Sequence, residues 1–187
     1  MGWGEGRASV NRFRHAPIVL LSAALLGGCF QPLYGTSTEA GRPVVRDALS
    51  AIDVQQIPAA ANTSEAPLAV QIRNDLLFNF TGGGYPAPST HKLKVEIFGN
   101  RAVVNIDRAT ALPSVETYTL RTTYSLTEIA TGKVVVTGRA SIPVSYDTMG
   151  QQRFARLSGM HDAERRAAKV IADNITTRLA SYFVSGS

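Results

Sequence analysis

Thr117-Tyr118-Thr119-Leu120-Arg121-Thr122-Thr123-Tyr124-Ser125-Leu126 is the stretch that decides how this chain folds. Tyr118, Leu120, Thr122, Tyr124 and Leu126 share one parity, and Thr117, Thr119, Arg121, Thr123 and Ser125 share the other. Successive strand side chains point to opposite faces, so this alternation predicts a strand with one packed face and one wet face. The same period recurs on both sides. Upstream, from His91, Leu93, Val95 and Ile97 alternate with Lys92, Lys94 and Glu96. Val103, Val104 and Ile106 continue that strand past an irregularity at Gly99-Asn100, and Asp107 to Ser114, with Pro113, makes a turn. Downstream, Thr131-Gly132-Lys133 is a short turn, and Val134 to Tyr146 is a third long strand rich in β-branched residues. Pro143 inside it marks an edge or a bulge. Together these segments form an antiparallel meander.

The flanking segments change period. Thr63, Ser64 and Glu65 offer N-cap chemistry, and Pro67 fits a first helical turn. Leu68, Ile72, Leu76 and Phe80 recur every four residues and, with Ala69 and Leu77, make one apolar stripe. Gly82-Gly83-Gly84 ends this helix as a C′ glycine does. A phosphate loop is the weaker reading, because its glycines precede a helix and these follow one. Ala163, Ala167, Val170, Ile171, Ile175, Leu179 and Phe183 form a second stripe, with Arg165, Arg166, Lys169, Asp173 and Arg178 largely off it. Gly159 is a point where this helix breaks or bends. Ile52 to Ile57 is a short strand that stops at Pro58. The order predicts an α+β fold, with two helices packed on one face of a four-stranded mixed sheet (β-α-β-β-β-α). The mixed character follows if the first strand, separated by a helix, pairs parallel to a later one.

The beginning of the chain reads differently. Arg7, Arg12 and Arg14 precede the apolar run Ala16 to Leu26, and small residues follow. That pattern is an export signal. The run is shorter than the roughly 20 apolar residues a lasting transmembrane helix needs. Leu26-Gly27-Gly28-Cys29 resembles a bacterial lipobox, which implies cleavage before Cys29, diacylation of its thiol and acylation of the new amine. The expected organisation is a lipoprotein signal peptide over 1–28, a lipid-anchored tether over 29–50 and a single α+β domain over 51–187. The tether has little periodicity and contains Pro32, Gly35, Gly41 and Pro43.

Composition narrows the function classes. The chain carries +5, of which the signal's three Arg and one Glu supply +2, leaving the mature part a mild +3. There is no dense basic stripe with interleaved aromatics, so nucleic acid is a poor partner. Cys29 is the sole cysteine, so no intramolecular disulfide forms. His15, His91 and His161 are scattered without metal-ligand spacing, and no metal or cofactor is expected. Ser, His and Asp are present, but nothing resembles a nucleophile elbow. Asp75, Glu96, Glu116, Glu128 and Asp162 are spread over separate elements, so no enzyme is expected.

Three local pieces carry a family likeness. They are Gly28-Cys29-Phe30-Gln31-Pro32-Leu33-Tyr34-Gly35; Ile72-Arg73-Asn74-Asp75-Leu76-Leu77-Phe78 with the triple glycine; and Ser145-Tyr146-Asp147 followed by Gln152-Arg153-Phe154-Ala155 and Asp162-Ala163-Glu164-Arg165-Arg166-Ala167-Ala168. In this order, behind a lipobox, the chain resembles the LPS-assembly lipoprotein LptE family of alphaproteobacterial type. The resemblance implies a lipoprotein held in the outer membrane by acyl chains on Cys29 and facing the periplasm. It implies an LptD-type β-barrel partner that the domain plugs and helps assemble. It implies a part in lipopolysaccharide transport to the cell surface by binding, without covalent chemistry.

By this resemblance, Arg108 and Arg156 lie near positions where the family has basic residues that bear on lipopolysaccharide binding. Lys92 and Lys94, on one side of their strand, join them as candidates. Charge-assisted bonds from such groups to phosphate are stronger than neutral ones. The competing reading of each cation is a solvated strand edge protected against sheet-to-sheet pairing. Tyr118, Tyr124 and Tyr146 either line a barrel contact or, as alternation places at least some of them, fill the core. The alternative function is an accessory or scaffold lipoprotein of another envelope transporter.

Overall fold

The computed structural model describes residues 45–106, 108, 111, 113–148 and 153–185. Its elements are α1 (Val45–Ser50), β1 (Ile52–Val54), α2 (Glu65–Thr81), β2 (His91–Ile106), β3 (Pro113–Glu128), β4 (Val134–Asp147) and α3 (Arg153–Ser185). The four strands form one sheet in the order β1-β2-β3-β4. β2, β3 and β4 are the antiparallel meander, and β1 lies parallel to β2 with Ile52 beside His91 and Val54 beside Leu93. The sheet is therefore mixed, as the helix between β1 and β2 requires.

Register explains which side is packed. Leu93 faces Leu126 and Val95 faces Tyr124 across β2–β3. Leu126 faces Val136 and Leu120 faces Ile142 across β3–β4. One parity thus makes a continuous inner face, on which Leu93, Leu120 and Leu126 are wholly buried. Thr122 shares it, and its hydroxyl donates to the Glu96 carbonyl at 2.9 Å, so a polar group sits in the core satisfied. Tyr118, Tyr124 and Tyr146 are all buried.

Leu68, Ile72, Leu76 and Phe80 of α2 and Ala163, Ala167, Ile171, Ile175 and Leu179 of α3 join this same core cluster. Val170 belongs to the expected stripe but is exposed, and Ala168, Ala172 and Ala180 are buried instead. Small side chains let α3 approach its neighbours closely. Asn79 fastens the two helices, its amide donating to Asp173 Oδ1 and Thr176 Oγ1, both at 3.2 Å. Gly82 ends α2 at φ 62°, with its N–H bonded to the Phe78 carbonyl.

Several local expectations are corrected. Val45–Ser50, assigned to the tether, is a helix, and its Ala48 and Leu49 are buried in the domain. Three apolar residues in six, Val45, Ala48 and Leu49, are too few to register as a period, yet enough to dock one turn. Ser64 precedes α2 with helical backbone angles and makes no side-chain cap bond, while the Thr63 hydroxyl turns back to the Ala60 carbonyl. β1 is limited to three residues. Gly99-Asn100 does not interrupt β2; pairing continues there and shifts at Val103–Asn105 and Asn105–Ile106. Gly99 is required instead by packing, since a Cβ there would lie 2.4 Å from the Tyr118 hydroxyl. Pro143 sits in regular register opposite Thr119, so it marks an edge strand and no bulge. Gly159 lies inside an unbroken α3, whose 33 residues extend about 50 Å. Among the described residues no helix is long and apolar enough to cross a membrane.

Candidate functional site

β2 and β3 together run to the end of the sheet at which α3 begins. There an Arg stands on the inner parity. Arg101 lies opposite Tyr118, two residues beyond Gly99, and its guanidinium is 3.3 Å from Glu164 on α3. Glu164 is only 2% exposed. A carboxylate buried to that degree needs a charged partner, and Arg101 is one, with His161 Nδ1 3.2 Å from its other oxygen. On the neighbouring strands Glu116 lies opposite Tyr146, whose hydroxyl donates to its carboxylate at 2.5 Å. Burial, and then the bond to and charge of Glu116, push the Tyr146 phenol up to about 12. Burial also dominates at Tyr118, with the Glu164 and Glu65 charges next, pushing that phenol up to about 12.

Arg101, Val103, Glu116, Tyr146, Arg156 and Met160 line a cavity of about 370 Å³. In it Arg101 is neutralised by Glu164, and Glu116 is engaged by Tyr146. Arg156 has no ion pair among the described residues and is exposed. The walls continue into exposed apolar residues, namely Val103, Val104 and Ile106 on the hairpin and Phe154 and Leu157 on α3. The arrangement is suited to binding: one open cation beside apolar surface, with the other charges held in pairs.

The remaining candidates lie elsewhere. Arg108 is exposed in the turn after β2 and does not line this cavity. Lys92 and Lys94 occupy the outer face of the sheet, the side opposite the core. Lys94 pairs with Glu96 at 2.8 Å, and that bond and charge raise its ammonium above the ordinary value. Cys29 lies outside the described residues. The structure thus joins Arg156 to Arg101, which sequence reasoning missed. The signal was parity: Arg101 continues the series Leu93, Val95, Ile97 and so falls on the packed side. His91, far along β2 from this cavity, packs edge-on against Phe183 at 5.3 Å. Burial holds its imidazole below the ordinary value, with Glu128 opposing.

With the geometry in place, the fold can be compared with known proteins. The class is an α+β domain of the kind found in proteins described as bacterial lipoproteins. A candidate lipoprotein from Caulobacter crescentus CB15 matches with a TM-score of 0.54 and 23% identity, over 76% of this chain and 97% of that one. Rare lipoprotein B from Shewanella oneidensis matches with a TM-score of 0.52 and 13% identity, over 71% and 98%. A neuraminyllactose-binding hemagglutinin homolog from Helicobacter pylori matches with a TM-score of 0.54 and 8% identity, over 82% and 94%. At these identities the likeness is one of fold. No family profile and no curated protein matches the sequence.

Proposed function

We propose that this chain is a lipid-anchored envelope lipoprotein of LptE type. It plugs and helps assemble an LptD-type β-barrel and takes part in lipopolysaccharide transport to the outer-membrane surface. It acts by binding and turns over no substrate. The observation that carries this reading is the fold, which spans nearly the whole length of rare lipoprotein B and of the Caulobacter lipoprotein. The lipobox-like Leu26-Gly27-Gly28-Cys29 supports the anchor, and the exposed apolar hairpin residues beside Arg156 support a binding role.

The test is an affinity pull-down of the full-length lipoprotein from its own envelope in mild detergent. A near-stoichiometric outer-membrane barrel of LptD type is expected. Recovery of an inner-membrane transporter, or of no barrel, would favour the accessory-scaffold reading, which the occurrence of this fold in a hemagglutinin homolog keeps in play. The lipopolysaccharide contact is tested separately. Arg108→Glu with Arg156→Glu reverses two exposed charges, so the variant should fold as wild type while binding lipopolysaccharide at least about tenfold more weakly. Unchanged binding would remove both arginines from the ligand site.

A further inference from the structure

β4 forms one end of the sheet, with β3 on its inner side and, among the described residues, no strand on its outer side. The direction of its backbone groups follows from the bonds at the two ends of β3. The Ser114 carbonyl accepts from the Thr148 N–H, and the Glu128 N–H donates to the Lys133 carbonyl. Residues of this parity in β3 therefore turn their backbone groups towards β4. Thr122 and Tyr124 share the parity, and opposite them stand Ala140 and Gly138. The two residues of a bonded antiparallel pair exchange both bonds, so Ala140 and Gly138 are bonded to β3. The alternate residues Thr137, Arg139, Ser141 and Pro143 then turn their backbone groups outwards, and all four are exposed. Pro143 fits this set because it has no N–H to leave open.

An open row of donors and acceptors is a template for another strand. The flanking charges define which strand fits. Residues 134–146 contain Arg139 and no acid. Arg139 stands on the uncovered face, where Glu96 in its cross-strand row is already paired with Lys94 at 2.8 Å. On the helix side, a cleft of about 460 Å³ opens beside Gly138 and Ala140, and Arg178 of α3 lines it. Burial raises the Tyr124 phenol in this cleft, and the Arg178 charge opposes that rise. The Thr177 and Ser181 hydroxyls already donate to helix carbonyls at 2.9 Å, so Arg178 is the charged group left open there. Neither arginine has an ion pair among the described residues. The two thus flank the edge from opposite faces. Successive side chains of a strand also point to opposite faces, so two adjacent carboxylates on an added strand would meet one arginine each. A second copy of β4 brings no carboxylate to the edge and sets like charges together.

We propose that residues 137–143 of β4 receive an extended acidic segment of a partner protein as a fifth strand. The inference goes beyond the lipopolysaccharide reading and does not rest on it: none of Arg108, Arg156, Lys92 and Lys94 lies on β4 or lines the cleft beside it.

The full-length protein in neutral detergent is titrated with a fluorescein-labelled peptide, Thr-Val-Thr-Glu-Asp-Val-Thr-Val-Thr, and with the same peptide carrying Lys-Lys in place of Glu-Asp. The acidic peptide should bind, and the basic one should bind at least about tenfold more weakly. The Arg139 and Ser141 amide hydrogens should exchange freely in the unbound protein and slow when the acidic peptide binds. Those of Gly138 and Ala140 should be protected throughout. Ser141→Pro removes one outward donor and no bond to β3, so it should weaken binding by about tenfold. Arg178→Glu reverses an exposed charge beside the edge and should weaken it at least as much. Should Ser141→Pro melt earlier than wild type, Arg178→Glu carries the test. Protection of the Arg139 and Ser141 amides before peptide is added would mean that this chain or a second copy already covers the edge, and overturns the proposal. So does equal binding of the two peptides, absence of binding at millimolar concentration, or undiminished binding by the variants.

Discussion

Gly138 and Tyr124 form a pair in which one residue has given up its side chain to the other. The Tyr124 ring occupies the space above Gly138, and the ring atoms there are rigid. Gly138→Ala should therefore cost about 1–3 kcal/mol by overpacking, read as a lower urea midpoint. A variant as stable as wild type would mean the ring moves aside freely. Tyr118 is the related case at Gly99, but its hydroxyl is buried without a hydrogen-bond partner among the described groups. An unmet buried hydroxyl is costly, so Tyr118→Phe should be neutral or stabilising by up to about 1 kcal/mol. The same residue has a pH signature. Its folded pKa, about 12, lies above the ordinary 10.0 of an unfolded tyrosine. Its contribution is thus fully present below the unfolded value and is lost as pH rises through the folded one. Denaturation midpoints measured from pH 9 to 12, values spanning about that window, should fall less steeply for Tyr118→Phe than for wild type. Equal slopes would remove burial of this phenol as a source of alkaline instability.

At the scale of elements, α1 is the part whose role changes most. A tether would tolerate substitution freely, whereas Leu49 is 1% exposed within the common core. Leu49→Ala should destabilise the domain by about 2–5 kcal/mol, as large-to-small core changes do. A change within error in thermal unfolding would return Val45–Ser50 to the tether. The longer elements were legible because their periods are long. Ten residues of β3, Thr117 to Leu126, alternate, and α2 repeats Leu68, Ile72, Leu76 and Phe80 with a glycine stop. Short elements such as β1 and α1 offer too few positions for a period to show. Their existence depends on what they meet, which for β1 is the start of β2 and for α1 is the packed helix layer.

At the scale of the whole molecule, the chain combines a described domain with an amino-terminal stretch, read from its sequence as an export signal, that lies outside the described residues. The expectation for that signal is direct. Cys29→Ser should move the protein from the membrane pellet to the soluble fraction and abolish palmitate labelling. Persistence in the pellet with no label in the wild type would end the lipobox reading. The domain's contribution is a sheet covered on one face by α2 and α3, with the candidate cations Lys92 and Lys94 on the uncovered face and Arg108 and Arg156 towards the hairpin end. Period determined the types of the long elements, the parity of the long strands and the packed face, because burial of an apolar stripe is a local property repeated along the chain. Tertiary structure alone decided which cations stand together. Arg101 reaches Glu164 from 63 residues away, and Arg156 lines the same cavity as Arg101 only because α3 begins at that end of the sheet. Charges act through space over distances that sequence separation does not measure, so the grouping of the arginines, and with it the candidate sites, emerged only when the helices closed on the sheet.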